Sequence, residues 1–172
     1  MTKAPKEAQK TKPVVLVTGA SGNIGNDLCT ALKSEYTVIG LDIRSCEAAD
    51  DSHECDLTAR DSIKLTLHKI RDKYGPKIAA IIHLAAYFDF SGQSHPLYQK
   101  LNIEGTQILL EELQDFEVER FIYSSTMLVH EPTVPGQKIN ENTPLNPGWA
   151  YPRSKAGAED AIKDHHGDIP YT

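Results

Sequence analysis

The stretch Pro13-Val-Val-Leu-Val-Thr-Gly-Ala-Ser-Gly-Asn-Ile-Gly25 decides the fold. Its apolar run from Val14 to Val17 is typical of a strand buried on both faces, as strands of parallel sheets are. Three glycines follow, Gly19, Gly22 and Gly25, and then a helical pattern begins. Glycines let backbone N–H groups come close to a ligand, and a helix start adds its positive dipole end. The spacing therefore predicts a pyrophosphate-binding turn, although such turns also occur without a ligand.

Composition limits the classes of protein to which the chain can belong. Its 172 residues suffice for one domain with its own core, and 40% apolar with 24% charged residues is ordinary for a globular protein. The net charge of −6 argues against a nucleic-acid partner. No run reaches membrane length or forms a secretory signal, so we expect a cytoplasmic protein. Cys29, Cys46 and Cys55 follow no metal-ligand spacing, so we expect reduced thiols and no metal site.

Strand and helix patterns alternate along most of the chain. Residues 1–12 are polar and lysine-rich and are expected to form a disordered basic tail, whereas residues 13–172 form one domain. Apolar runs and helical periodicity predict strands at 14–17, 36–41, 53–55, 78–84 and 120–123, and helices at 24–34, 59–74, 97–115 and 149–166. The alternation predicts an α/β fold with a doubly wound parallel sheet of the Rossmann type.

Two acidic residues follow predicted strands. Asp42 lies about 23 positions after Gly19, where dinucleotide-binding folds place the carboxylate that binds the adenosine ribose. A carboxylate there repels a 2′-phosphate and so favours NAD over NADP, while Arg44 would weaken that preference. The alternative for Asp42 is a solvated acid at a strand end. Asp56 is expected to cap the next helix, to face an adenine ring, or to do both.

The segment after the fourth predicted strand combines small and aromatic residues. In His83-Leu84-Ala85-Ala86 the small side chains would let a cofactor lie across the strand end, and His83 is more typical of a packed residue than of a catalyst. The loop at 87–96 carries several aromatic residues, including Phe88 and Phe90. Loops at this edge of a parallel sheet usually line the ligand crevice, so either substrate contact or plain loop packing fits them.

Polar residues in the second half of the chain supply candidates for chemistry. Asn102 lies inside a predicted helix, where asparagine is unfavourable, which indicates a specific hydrogen bond or a local kink. Thr126 follows the fifth predicted strand, where its hydroxyl would bond either a substrate oxygen or the turn backbone. Pro152 fits only the first turn of a helix, which places Tyr151 at the helix entrance. Tyr151 and Lys155 are four residues apart and therefore share a helix face.

The Tyr151–Lys155 pair suggests acid/base catalysis. A phenol with its ordinary pKa near about 10 is a poor base at neutral pH. An ammonium within about 4–6 Å and the positive nicotinamide ring both lower that pKa, so Tyr151 would accept a proton from an alcohol while hydride leaves its carbon. In isolation such a pair is more often a surface pair. Its position after five alternating strands and a phosphate-binding turn favours catalysis.

Seven motifs then occur in a familiar order: Thr18-Gly19-Ala20-Ser21-Gly22-Asn23-Ile24-Gly25, Asp42, Asp56-Leu57, His83-Leu84-Ala85-Ala86, Asn102-Ile103-Glu104-Gly105-Thr106, Tyr123-Ser124-Ser125-Thr126 and Tyr151-x-x-x-Lys155. Together they resemble the extended short-chain dehydrogenase/reductase family, the NAD-dependent epimerase/dehydratases. The resemblance covers about residues 14–172, and the joint pattern is highly specific.

The resemblance implies NAD as cofactor and a set of functional residues. Tyr151 would be the acid/base, Lys155 its partner and ribose anchor, and Thr126 the hydroxyl of the triad, with Asn102 a weaker fourth member. The implied cofactor contacts are Gly19, Ser21, Gly22, Asn23, Ile24, Gly25, Asp42, Asp56, Leu57, Leu84, Ala85, Ala86 and Lys155. It also implies a homodimer packed through the helices near 97–115 and 149–166.

The family resemblance also implies further chain. Extended members continue with a sixth strand and a substrate domain, whereas this sequence stops at 168–172, so we expect an N-terminal portion that is inactive alone. The expected activity is hydride transfer at a substrate hydroxyl or carbonyl, with a nucleotide-sugar-like substrate. The alternatives are a simple alcohol or steroid-type dehydrogenase and a non-catalytic NAD-binding regulator or scaffold. The aromatic loop differs from loops of common sugar-nucleotide enzymes, which argues against a sugar.

Overall fold

The centre of the molecule is a five-stranded parallel sheet, seen in a computed structural model that describes residues 11–172. The predicted tail at 1–12 therefore lies almost wholly outside the described residues. The strands of this sheet are β1 (Val14–Thr18), β2 (Thr37–Asp42), β3 (Asp51–Glu54), β5 (Ala80–His83) and β7 (Phe121–Tyr123), in the spatial order β3-β2-β1-β5-β7. A doubly wound order of this kind confirms the predicted fold class.

Helices cover both faces of the sheet. The α-helices are α1 (Asn23–Leu32), α2 (Arg60–Tyr74), α3 (Thr106–Glu112) and α4 (Ala150–His165). Alternate residues of β1 divide between the two faces, since Leu16 packs in the core with α2, α3 and α4, whereas Val15 and Val17 pack with α1. All three side chains are buried, as a strand covered on both faces requires.

The predicted strand at 78–84 is wrong in one respect, because the chain forms two short strands there. β4 (Lys77–Ile78) pairs with β6 (Glu117–Val118) in a separate two-stranded ladder, and β5 then joins the main sheet. The residues before and after this break, Ile78 and Ile81, are both buried in the same core. Because the run at 78–84 is almost wholly apolar, its pattern did not show that β4 and β5 pair with different strands.

The long predicted helix at 97–115 is also composite. Its first part, Tyr98–Gly105, is a π-helix that continues as α3. π-helical turns occur frequently at functional sites. The local irregularity that Asn102 suggested in the sequence is thus a π-helical segment. Beyond α4, Tyr171 lies beside Phe121 in a parallel bridge at the open edge of β7.

Candidate functional site

The glycine turn connects β1 to α1 through a close approach of backbones. Gly19 has a φ of +69°, and a Cβ there would lie 2.8 Å from the backbone nitrogen of Ala85. A Cβ on Gly25 would lie 2.2 Å from the carbonyl oxygen of Gly19. α1 follows with Gly22 as its N-cap residue and without a side-chain cap. The first N–H groups of the helix thus have no side-chain partner, which leaves them available to an anion.

Asp42 ties the end of β2 to this turn. Its Oδ2 accepts a hydrogen bond of 3.0 Å from the Ser21 backbone N–H, and its Oδ1 accepts one of 3.3 Å from the Arg44 backbone N–H. The carboxylate is only half-buried, which leaves lone pairs open to a ligand. The Ser21 hydroxyl is buried and has no partner among residues 11–172. A buried polar atom without a partner is costly unless a ligand satisfies it.

A cavity of about 460 Å³ lies at the carboxyl ends of the strands. Several residues that the sequence predicted as cofactor contacts line it together: Gly19, Gly22, Asp42, Asp56, Leu57, Leu84, Ala85 and Ala86. Four others, Ser21, Asn23, Ile24 and Gly25, belong to the adjoining turn and the start of α1, and Lys155 lies on α4. Asn23 and Ile24 are exposed, whereas Gly25 is buried against the turn.

Asp56 is not a helix cap, which corrects one prediction. α2 begins after Ala59, and that residue makes no side-chain cap. The Asp56 carboxylate instead accepts hydrogen bonds from the backbone N–H and hydroxyl of Thr58, at 2.8 and 2.7 Å. Asp56 thus lies three residues before the cap position, and a local turn binds its carboxylate. The remaining prediction, that Asp56 faces an adenine ring, agrees with its place in the cavity lining.

His83 is fully buried within a chain of hydroxyl groups. Its Nδ1 lies 2.7 Å from Thr18 Oγ1 and its Nε2 lies 2.9 Å from Thr106 Oγ1. Thr106 donates its own proton to the carbonyl of Asn102, so it accepts from His83, whose Nε2 carries the proton. Burial lowers the pKa of His83 to about 3, with the Lys155 charge adding to the effect. His83 is therefore a neutral packed residue, as its sequence context favoured.

Asn102 joins the loop after β5 to α4. Its Oδ1 accepts from the Tyr87 backbone N–H at 2.7 Å, and its Nδ2 donates to the Tyr87 carbonyl at 3.1 Å and to Ser154 Oγ at 2.8 Å. Ser154 in turn donates to the Tyr151 carbonyl at 2.7 Å. Both amide hydrogens are thus used within the protein. The specific hydrogen bond predicted for Asn102 exists, and it holds the backbone around Tyr151; a catalytic function for Asn102 stays a prediction.

The expectation that Lys155 lowers the pKa of Tyr151 is wrong. Burial among aromatic rings, with a smaller contribution from Tyr98, raises the pKa of Tyr151 above its ordinary value. The Lys155 ammonium lies 4.2 Å from the centre of the Tyr123 ring. A spacing of i, i+4 places two residues on one helix face, but it does not determine where a long lysine side chain points. In this structure the Lys155 ammonium therefore lies over the Tyr123 ring.

Lys155 itself is almost fully buried, with 2% of its surface exposed. Burial lowers its pKa from 10.5 to about 8, against a smaller opposite effect of Glu159. Among residues 11–172, no hydrogen bond or salt bridge engages its ammonium, and a cation on an aromatic face is only weakly stabilised. A buried, poorly paired lysine of this kind is characteristic of functional sites.

The depressed pKa of Lys155 predicts a stability that increases with pH. Between pH 8 and 10.5 the unfolded chain binds more protons at this position than the folded chain does, so wild type gains stability relative to Lys155→Met. The gain is expected to reach up to about 3 kcal/mol. Urea unfolding from pH 7 to 10.5 measures it. Lys163→Met is the control, because Lys163 is exposed and its hydrogen bond to Asp160 raises its pKa; equal curves for both variants would contradict the prediction.

Thr126 lies at the start of a 3₁₀ turn, Met127–Val129, and its hydroxyl caps that turn by accepting from the Leu128 N–H at 3.3 Å. It lines a second cavity of about 600 Å³ together with Ser125 and Glu159, which are hydrogen-bonded to each other. Within residues 11–172, no hydrogen bond joins Thr126 to Tyr151. Of the two functions open to Thr126 in the sequence, the structure shows the bond to turn backbone.

Several residues that shape this region were given no function from the sequence. Thr18 and Thr106 fix the tautomer of His83, Ser154 links Asn102 to Tyr151, and Tyr123 receives the Lys155 ammonium. Ser154 could have been found from the sequence, because it lies between Tyr151 and Lys155 on the same predicted helix. The described part of the chain contains no group of three potential metal-ligating side chains. Nor does any helix within 11–172 have the length and apolarity to cross a membrane.

Comparison with known proteins agrees with this geometry. The UDP-glucose 4-epimerase of Schizosaccharomyces pombe is 31% identical over 163 residues, which are 87% of this chain and 46% of that protein. A 4-hydroxy-2-methyl-3-oxo-4-farnesyl-3,4-dihydroquinoline-1-oxide ketoreductase of Stigmatella aurantiaca is 28% identical over 153 residues, 88% of this chain and 45% of that one. The chain thus spans less than half the length of these curated relatives.

A solved structure matches the fold as well. The UDP-glucose 4-epimerase from Brucella ovis, crystallised in complex with NAD, superposes with a TM-score of 0.76 at 26% identity, covering 92% of this chain and 50% of that one. The profile of the NAD-dependent epimerase/dehydratase family matches residues 15–170, nearly the whole domain. A match of this extent, over the same segments that build the glycine turn and the Tyr151 helix, shows that the chain belongs to the NAD-dependent epimerase/dehydratase family.

Proposed function

We propose that this chain is the cofactor-binding part of an oxidoreductase, epimerase or dehydratase that acts on a substrate hydroxyl or carbonyl with NAD. The observation that carries the proposal is the cavity at the strand ends, where the glycine turn, Asp42 and the small residues Ala85 and Ala86 share one lining. Ligands of open α/β sheets bind in this crevice. The names of the relatives support the same reaction class.

The residues around the cavity fit a dinucleotide. The uncapped N–H groups at the start of α1 and the unsatisfied Ser21 hydroxyl suit a pyrophosphate. Asp42 would accept from the adenosine ribose hydroxyls, and Asp56 with Leu57 would border the adenine. Lys155 would reach the other ribose after leaving the Tyr123 ring. Bound NAD would supply the acceptor for a hydride taken from the substrate carbon.

In this proposal Tyr151 transfers the proton that accompanies hydride transfer. Because burial raises its pKa, the phenol is protonated at neutral pH and is ready to donate to a carbonyl oxygen. The reverse step, proton removal from an alcohol, needs the phenolate, which a cation next to Tyr151 would favour. Thr126 would bind the same substrate oxygen if its hydroxyl turns from the Leu128 N–H. Alcohol oxidation should therefore rise with pH above neutrality.

The choice between NAD and NADP tests the function of Asp42. Wild type is expected to bind NAD about tenfold or more tightly than NADP. The Asp42 carboxylate would accept hydrogen bonds from the two hydroxyls of the adenosine ribose in NAD, whereas it would repel the 2′-phosphate of NADP. Asp42→Asn removes the charge and should reduce the ratio. Fluorescence or calorimetric titration with both nucleotides measures it. The control is Asp56→Asn, since that carboxylate lines the same cavity but is held by Thr58; equal wild-type affinities for NAD and NADP would refute the assignment.

A second candidate function is non-catalytic NAD binding. The observation that favours it is the position of the Lys155 ammonium on the Tyr123 ring, where it does not lower the pKa of Tyr151.

A homodimer through 97–115 and 149–166 also remains our proposal. These segments already pack on each other, with Gly157 of α4 facing Ile103, and a second copy would add to this helical layer. The three free, buried thiols support a cytoplasmic location.

A further inference from the structure

Three aromatic side chains form an apolar surface next to Tyr151, which we call the aromatic patch: Phe88, Phe90 and Trp149. The rings of Phe88 and Phe90 meet edge to face at 4.7 Å, and Trp149 lies 6.3 Å from Phe88. Phe88 is 42% and Phe90 94% exposed. Large exposed apolar surfaces at a site are rare unless they bind something.

The aromatic patch continues directly into the proposed acid/base residue. Phe88 stands edge to face on the Tyr151 ring at 4.6 Å, and Trp149 lies 5.7 Å from the same ring. A small molecule whose oxygen bonds the Tyr151 hydroxyl would therefore lie close to these rings. The part of the molecule next to the reacting carbon would rest on the aromatic patch.

The loop that carries the aromatic patch is fixed to the protein at its base. Asn102 holds both backbone groups of Tyr87, and the Tyr87 ring stacks on His95 at 4.5 Å and meets Tyr98 at 5.0 Å. Asn102 also bonds Ser154 of α4. The position of Phe88 relative to Tyr151 is thus set by hydrogen bonds between the two elements. This is a built surface with a defined place beside the reacting group.

The charged residues next to the patch are engaged elsewhere. Asp89 accepts hydrogen bonds from the backbone N–H and hydroxyl of Ser91, at 2.7 and 2.9 Å. The Arg153 guanidinium donates to the Gly148 carbonyl at 3.2 Å. Burying the hydroxyls of a sugar against the aromatic patch would therefore leave them without charged or strongly polar partners from these residues, which is unfavourable.

We infer that the substrate carries an apolar ring or ring system beside its reacting hydroxyl or carbonyl, and that Phe88, Phe90 and Trp149 are specificity-determining residues. The inference rests on the proposed function of Tyr151. Apolar ligand groups gain affinity by covering exposed aromatic surface, and ring faces orient them with little loss of side-chain freedom. A cyclic secondary alcohol or its ketone is the simplest substrate of this class.

Trp149 gives a direct test, because it belongs to the aromatic patch and its share of the fluorescence is the part that Trp149→Phe removes. The protein as expressed from its own gene is titrated in the presence of NAD with decahydro-2-naphthol, and separately with UDP-glucose, while tryptophan fluorescence is followed. We expect a saturable change with the naphthol and none with UDP-glucose. Phe90→Ser should raise the Kd for the naphthol by about tenfold. Phe90 is almost fully exposed, so its replacement leaves the core intact.

Leu65→Ser is the matched control, since Leu65 is another exposed apolar residue, on α2, and its replacement should leave the Kd unchanged. The inference is overturned if the naphthol gives no saturable change, if UDP-glucose gives one, or if Phe90→Ser binds like wild type. Turnover is followed separately as consumption of the naphthol or of UDP-glucose. If the naphthol gives no fluorescence change but Tyr151→Phe still abolishes turnover, only this inference is overturned. If the naphthol binds but Tyr151→Phe has the turnover of wild type, only the proposed function is overturned.

Discussion

Replacement of Tyr151 by phenylalanine is expected to lower turnover by roughly 10²–10⁴-fold, the usual contribution of a positioned acid/base group. Phenylalanine keeps the ring that packs against Phe88 and Trp149, so the fold and the shape of the site should persist. The affinity for NAD should also persist, because Tyr151 does not line the cavity at the strand ends. Steady-state consumption of the substrate and nucleotide titration measure the two effects.

The matched control is Tyr98→Phe. Tyr98 is buried, its ring lies 6.4 Å from that of Tyr151, and its hydroxyl has no hydrogen-bond partner among residues 11–172. Removing an unsatisfied buried hydroxyl should leave turnover within about twofold and make unfolding slightly harder. If Tyr151→Phe retained the turnover of wild type, the phenol would carry no proton in the reaction. Binding of NAD with no turnover in wild type would favour the non-catalytic candidate.

The order of strands and helices followed from the sequence because the central apolar runs, those of β1 and β2, are buried on both faces. Val15, Leu16 and Val17 have no exposed side, so their pattern needs no knowledge of the rest of the chain. The turn after them was equally readable, since glycine is the residue that tolerates both the positive φ and the close contact at Gly19. Local chemistry decided these features.

The direction of a side chain did not follow from spacing. Lys155 and Tyr151 do share a helix, but the lysine stem has several rotatable bonds, and the Tyr123 ring from another element receives its charge. The same limit applies to Asn102, whose partners Tyr87 and Ser154 lie 15 and 52 residues away in sequence. Contacts between distant elements determine both the pKa of Tyr151 and the base of the aromatic loop.

Gly25→Ala is expected to produce the largest loss of stability of any single methyl group added to this chain. The new Cβ would lie 2.2 Å from the Gly19 carbonyl oxygen and 2.8 Å from the Ala20 Cα. Both atoms belong to the backbone of the glycine turn, which cannot rotate away as a side chain would. Separating α1 from the turn should cost about 3 kcal/mol or more in the free energy of unfolding and abolish NAD binding. Urea denaturation and nucleotide titration measure the two losses.

Gly157→Ala separates this effect from the general effect of alanine in a helix. Gly157 also lies inside a helix, α4, and its added Cβ would meet Ile103 Cδ1 at 2.7 Å. That atom is the end of a side chain, which can change rotamer, and alanine in a helix interior gains about 0.5–1 kcal/mol over glycine. We therefore expect a net change within about 1 kcal/mol at Gly157. Equal losses at Gly25 and Gly157 would mean that the backbone of the turn yields as readily as a side chain, and a turn that soft would not hold its N–H groups ready for a pyrophosphate.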